Sequence, residues 1–225
     1  MIHPFLYRVL VAALCAALVS GCVLGRQSTP VSIIAPVVEL EPGAGWPEAA
    51  WTLQVQRPVS DQMRDSNRIL VREARSQLKV YPGAAWLDAA PDMFQALLVQ
   101  ALEDSGRFEG VSRPGGAAGR YRLRTEMRRF EALDDGSRDL AADIEIRASM
   151  IHTRSARVVA TRTFEQRTRA DGGGLQPLVT AFEDAFQQLV TDIAEWVLVS
   201  AEEAEAERGD EEIPAEGLRR RPRDT

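Results

Sequence analysis

The sequence predicts an α+β domain in which one mostly antiparallel sheet packs against two main helices, at about residues 91–105 and 175–200. Three observations predict it. Between Tyr121 and Thr168, three segments alternate apolar and polar residues with a period of two, the pattern of half-buried strands joined by turns. Two other segments repeat apolar residues every three or four positions, which lays one stripe along a helix. Proline-rich and charged stretches bound these elements on either side, so the domain is expected at residues 51–200.

The first helix carries the fullest set of signals. Asp88 is placed to cap it, and Pro91 falls in the first turn, where a missing N–H costs nothing. Phe94, Leu97, Leu98, Ala101 and Leu102 form its apolar stripe, and Gly106 supplies the left-handed residue that ends it. Leu78, Val80 and Tyr81 read as a strand before it, and Phe108 and Val111 begin one after it.

In chain order, residues 1–21 read as a lipoprotein signal peptide. Arg8 supplies the positive charge, and the apolar run Val9–Val19 is too short to span a bilayer. Val19-Ser20-Gly21-Cys22 fits a bacterial lipobox, so Cys22 is the expected lipidation site. An ordinary signal peptide with a chance cysteine is the alternative, disfavoured by the cysteine's position and by both small residues. Val23 follows the cysteine instead of Asp, which in enterobacteria favours release to the outer membrane. Residues 22–50 comprise the lipidated cysteine and a tether with Pro30, Pro36, Pro42 and Pro47. As a flexible coil this tether would hold the domain roughly 30 Å from the lipid. The apolar run Val31–Leu40 leaves a second option, packing on the domain or on the bilayer surface.

Trp51, Leu53 and Val55 alternate with polar residues as a strand that stops at Arg57-Pro58, and Ile69–Val71 gives another. Tyr121, Leu123, Thr125 and Met127 face one way, with Arg122, Arg124, Glu126 and Arg128 opposite; a phase slip before Phe130 predicts a bulge. Asp134-Asp135-Gly136-Ser137 makes a turn. Ala142, Ile144, Ile146, Ala148 and Met150 form the core face of the next strand, so Arg122 and Arg124 are expected to meet Glu145 and Asp143 across the outer face. Val158–Thr168 is a less regular strand. Gly172-Gly173-Gly174 leads to the last helix, striped by Leu175, Phe182, Phe186, Leu189, Val190, Ile193 and Val197. Residues 201–225 read as a charged, disordered tail.

Composition removes most catalytic classes. The only cysteines are Cys15 and Cys22, and the only histidines His3 and His152, so the mature chain lacks the side chains for a Cys/His zinc site or a Ser-His-Asp triad. Asp134-Asp135 is explained by its turn. No Lys-Ser or Lys-Thr follows Gly172–Gly174, so no phosphate-binding loop is present. Trp51, Trp86 and Trp196 could line a lipid cavity, with core packing the plainer reading. Residues 22–200 carry 24 acidic and 21 basic side chains, and residues 201–225 nine and five. That balance leaves no nucleic-acid footprint and no polybasic membrane patch. The exposed arginines of the 121–128 strand read as a solvated face, with partner contact as the alternative. No catalytic, cofactor-binding or metal residue is expected, so the reading is a binding or assembly role and not an enzyme.

Asn67-Arg68-Ile69, Tyr81, Trp86-Leu87-Asp88, Pro91, the Leu-rich helix and Ser105-Gly106-Arg107-Phe108 together resemble the ABC-type transport auxiliary lipoproteins. The likeness covers roughly residues 50–200. It implies an auxiliary component of an MCE-type lipid transport system, lipid-anchored in the cell envelope at the outer membrane and facing the periplasm. The implied partner is an MCE-domain substrate-binding subunit and, through it, an ABC permease and a separate ATPase. The alternative is a structural envelope lipoprotein that assists outer-membrane protein assembly or peptidoglycan synthesis. Open sheet edges beside the 121–168 meander are expected to serve docking or assembly into a homo-oligomer.

Overall fold

The computed structural model describes residues 30–73 and 76–212, with side chains as far as Glu207. The signal peptide, Cys22 and residues 213–225 lie outside the described residues. The elements run β1 (Ser32–Ile34), β2 (Ala49–Val55), β3 (Arg68–Glu73), β4 (Gln77–Trp86), α1 (Ala90–Asp104), β5 (Phe108–Ser112), β6 (Tyr121–Asp134), β7 (Ala141–His152), β8 (Arg157–Arg169) and α2 (Leu175–Glu212).

All eight strands join one sheet, organised on β6. One edge of β6 pairs along its whole length with β7, which pairs in turn with β8. Its other edge is shared end to end: β2 pairs with its start, Leu53 opposite Tyr121, and β3 with its end, Val71 opposite Ala132. β5 then extends the sheet beyond β2, and β4 and β1 extend it beyond β3. The fold is α+β, but the sheet is mixed. Four of the seven strand pairings are parallel, which corrects the mostly antiparallel sheet expected. Antiparallel pairing is confined to β3–β4 and the β6–β7–β8 meander. Period-two alternation reports which side chains face the core and carries no information on the direction of the neighbouring strand, so it could reveal the meander and not the rest.

α1 begins at Ala90 with Pro91 in its first turn, as expected, but its N-cap is Ala89, with no side-chain cap bond from Asp88. Asp92 in that turn instead accepts from Arg57 Nε at 2.6 Å. Ser105 and Gly106, at φ +62°, close the helix, and Gly106 N–H donates to the Glu103 carbonyl. Phe94, Leu98, Ala101 and Leu102 are buried, and Leu97 packs at the margin. α1 and α2 share one core with the sheet: Phe94 meets Phe186 edge-on at 5.1 Å, and Phe182 sits between Trp86 at 5.1 Å and Phe130 at 5.4 Å. Alternating aromatic edges and faces hold the helices to the strands at these distances.

Two expected boundaries move. Within residues 32–50 the flexible tether is corrected in favour of the second option, packing on the domain: β1 pairs in parallel with β4, and Val38, Leu40 and Trp46 are buried. From Ile34 to Leu40 the inward positions alternate with outward ones, so prolines that bar a central strand still allow an extended edge segment. At the other end, α2 runs past residue 200 to Glu212, with Ala201 and Ala204 buried and Glu205 bonded to Arg120 at 2.9 Å. Alanine spaced among glutamates keeps a narrow apolar stripe that the acidic composition hides.

Candidate functional site

Strand alternation gives the meander two faces. Leu123, Met127, Ile146 and Ala148 point into the core, and Arg122, Arg124, Glu126, Asp143, Glu145 and Arg147 point away from it. The bulge falls where the phase slip predicted, between Met127 and Arg129. The expected register does not hold: Arg122 lies opposite Ile151 and Arg124 opposite Ser149. Arg122 thus pairs six residues further along β7 than expected, and the loop from residue 135 to 140, longer than a tight turn, contributes part of that shift.

Carboxylates on the outer face therefore meet other arginines. Arg129 bonds to Asp143 at 3.1 Å, to Glu165 at 3.1 Å and to Glu145. Arg128 joins Glu126 to Glu145, and Arg167 bonds to Asp143 at 3.2 Å. For Arg129, burial acts to lower its pKa, but the surrounding carboxylates prevail and hold it above its ordinary value. Glu131, fully buried, receives both Arg64 and Arg72. The loop between β2 and β3 is thereby fixed to the sheet, its backbone turned by Asp61, which accepts from the N–H groups of Met63 and Arg64. Sequence reading missed Glu131, because the bulge puts a charged residue where alternation leads one to count surface.

Beyond this network, toward the start of β6, the outer face changes character. Arg124 and Arg147 are exposed and have no ion pair among the described residues. With Val59, Thr125, Glu126, Ser149, Ile151 and Val158 they line a shallow groove of about 450 Å³. Val59 is placed there by backbone bonds to β6: its N–H donates to the Thr125 carbonyl and its carbonyl accepts from Met127 N–H.

The other expected positions are structural. Asp134 and Asp135 accept from the N–H groups of Gly136 and Ser137, with Gly136 at φ +81°, and Arg169 holds the Asp135 carboxyl far below its usual range. His152 Nδ1 lies 3.0 Å from the Ser155 hydroxyl. Trp51 and Trp86 are core residues, and Trp196 packs edge-on against Phe164. Among the described residues there is no cluster of metal-ligating side chains, and no helix is long and apolar enough to cross a membrane.

Residues 33–194 match the family of ABC-type transport auxiliary lipoprotein components. The chain belongs to that family. A crystal structure of a Xanthomonas campestris protein is 35% identical, with a TM-score of 0.74 over 78% of this chain and 99% of that one. A second solved structure, 17% identical with a TM-score of 0.57 over 71% of this chain and 99% of its own, shares the fold. A Bradyrhizobium diazoefficiens protein is 25% identical over 154 residues, 66% of this chain and 40% of the relative, so this chain spans about two fifths of that relative's length. The family is one of lipoproteins that are auxiliary components of ABC-type transport, a description that implies the cell envelope. The family match begins at Ile33, inside β1, so it takes in the segment that the sequence had assigned to the tether.

Proposed function

We propose that this protein is a non-catalytic outer-membrane lipoprotein, anchored through a diacylated Cys22, that serves an MCE-type lipid transport system by binding its MCE-domain subunit in the periplasm. Membership of the auxiliary lipoprotein family is the observation that carries the reading. Support for contact in place of chemistry comes from the domain itself, whose outer-face carboxylates Asp143, Glu145 and Glu165 are engaged by arginines in structural ion pairs. The anchor has a geometric consequence. Cys22 precedes Ser32 of β1 by ten residues, a length of chain that reaches at most about 35 Å when fully extended. More than one acyl chain at Cys22 would make the attachment practically permanent, each buried CH₂ contributing about 0.8 kcal/mol.

A deletion strain tests the reading. Loss of the protein is expected to weaken the outer-membrane lipid barrier, measured as entry of a hydrophobic dye; wild-type protein restores it, and Cys22→Ser, released from the membrane fraction, does not. An intact barrier in the deletion strain, with peptidoglycan or porin assembly impaired instead, would overturn it.

A further inference from the structure

The outer face of the meander is divided by charge. Where β6 ends and β7 begins, the carboxylates Asp143, Glu145 and Glu165 are all engaged by arginines. Where β6 begins and β7 ends, Arg124 and Arg147 stand exposed without an ion pair among the described residues. Glu126, directly opposite Arg147, is held by Arg128 at 3.3 Å. Exposed large aliphatic side chains sit on this same ground: Val59 is 53% and Val158 55% exposed, with Ile151 half-buried between the strands. Two exposed guanidiniums without an ion pair, rimmed by valines and beside a single lining carboxylate, Glu126, that Arg128 already engages, form a surface that water satisfies at its charges and penalises at its aliphatic side chains.

We propose that this groove is the docking surface for a protein segment that carries carboxylates beside aliphatic side chains; on the reading above, which this rests on, the segment belongs to the MCE-domain subunit. The spacing favours a peptide. Arg124 pairs with Ser149, so Arg147 is its diagonal neighbour across β6–β7, a separation of roughly 7–8 Å. Carboxylates two apart on an extended strand, about 6.5 Å, or four apart on a helix, about 6 Å, are spaced so that two arginine side chains rooted this far apart can each reach one. The shallow groove offers no enclosure for an acyl chain, whereas its exposed valines suit the short aliphatic side chains of a peptide. Planar guanidiniums hold carboxylates in paired hydrogen bonds, and the valines seat the intervening aliphatic side chains.

The test measures binding of detergent-solubilised full-length lipoprotein to the soluble region of the MCE-domain subunit from the same organism. Arg124→Glu with Arg147→Glu is expected to weaken binding at least tenfold. Arg124→Ala with Arg147→Ala, which places no new carboxylate opposite Glu126, is expected to weaken it several-fold with an unchanged melting temperature. Raising salt from 0.1 to 0.5 M should weaken the wild type more than either variant. Wild-type binding that both double variants match overturns this inference alone. No binding by the wild type overturns the transport reading and this inference with it. If vesicles of phosphatidylglycerol and phosphatidylethanolamine bind the Cys22→Ser chain through these arginines while the subunit ignores them, the groove is a lipid site and the inference fails.

Discussion

Replacing Phe182 by alanine should reveal how far α2 is held by its aromatic contacts. The side chain is 2% exposed, between Trp86, itself 1% exposed, and Phe130. Removing a buried phenylalanine costs about 3–5 kcal/mol, of which each aromatic pair supplies roughly 0.5–1.5 kcal/mol beyond burial. In a domain of this size each kcal/mol lowers the melting temperature by about 2–4 °C, so the expected fall is about 6–20 °C. Phe182→Leu should lose less than half of that, because it restores most of the buried volume without the ring contacts. Circular dichroism during thermal unfolding, with a urea series to confirm an unchanged m-value, measures both. A fall under about 3 °C for the alanine variant, well below the range expected for a buried ring, would show that α2 is not seated on Trp86 and Phe130.

Glu131→Gln removes the charge from a fully buried carboxylate while Arg64 and Arg72 remain, and should cost about 3–5 kcal/mol in urea unfolding; a loss under about 1 kcal/mol would refute the network. Ending the chain at Ser200 removes buried Ala201 and Ala204 and the bonds from Tyr121 and Arg120 to Glu205, a loss of about 1–3 kcal/mol, whereas ending it at Glu212 should leave the melting temperature unchanged. The hydrogen bond from Arg57 holds the Asp92 carboxyl below its ordinary value, so the folded state binds fewer protons there than the unfolded chain. The stability gap between wild type and Asp92→Asn should therefore be constant above about pH 4 and close as pH falls further; a gap that widened on acidification would contradict it.

Helix α1, the bulge in β6 and the three strands of the meander were legible because each has a local signal: a stripe, a phase slip, an alternation. Order among the remaining strands was not, since the pairing of β2 and β3 with successive halves of β6 is a long-range choice that no local pattern records. Composition misled at both ends. Proline marked residues 32–50 as tether although alternate positions from Ile34 to Leu40 turn inward, and glutamate marked residues after 200 as tail although Ala201 and Ala204 face the core. Alternation in β6 and β7 led to Arg122 and Arg124 as the partners of Glu145 and Asp143. Only the register shows that Arg128 and Arg129 are engaged by carboxylates while Arg124 is not.

Affinity purification of the full-length lipoprotein from detergent-solubilised envelopes, with the co-purifying proteins identified by mass spectrometry, tests the transport role most directly. Enrichment of an MCE-domain subunit, abolished when the bait is Arg124→Glu/Arg147→Glu, is the predicted result. Enrichment of peptidoglycan synthases or outer-membrane assembly factors, with no MCE-domain subunit recovered, would contradict it.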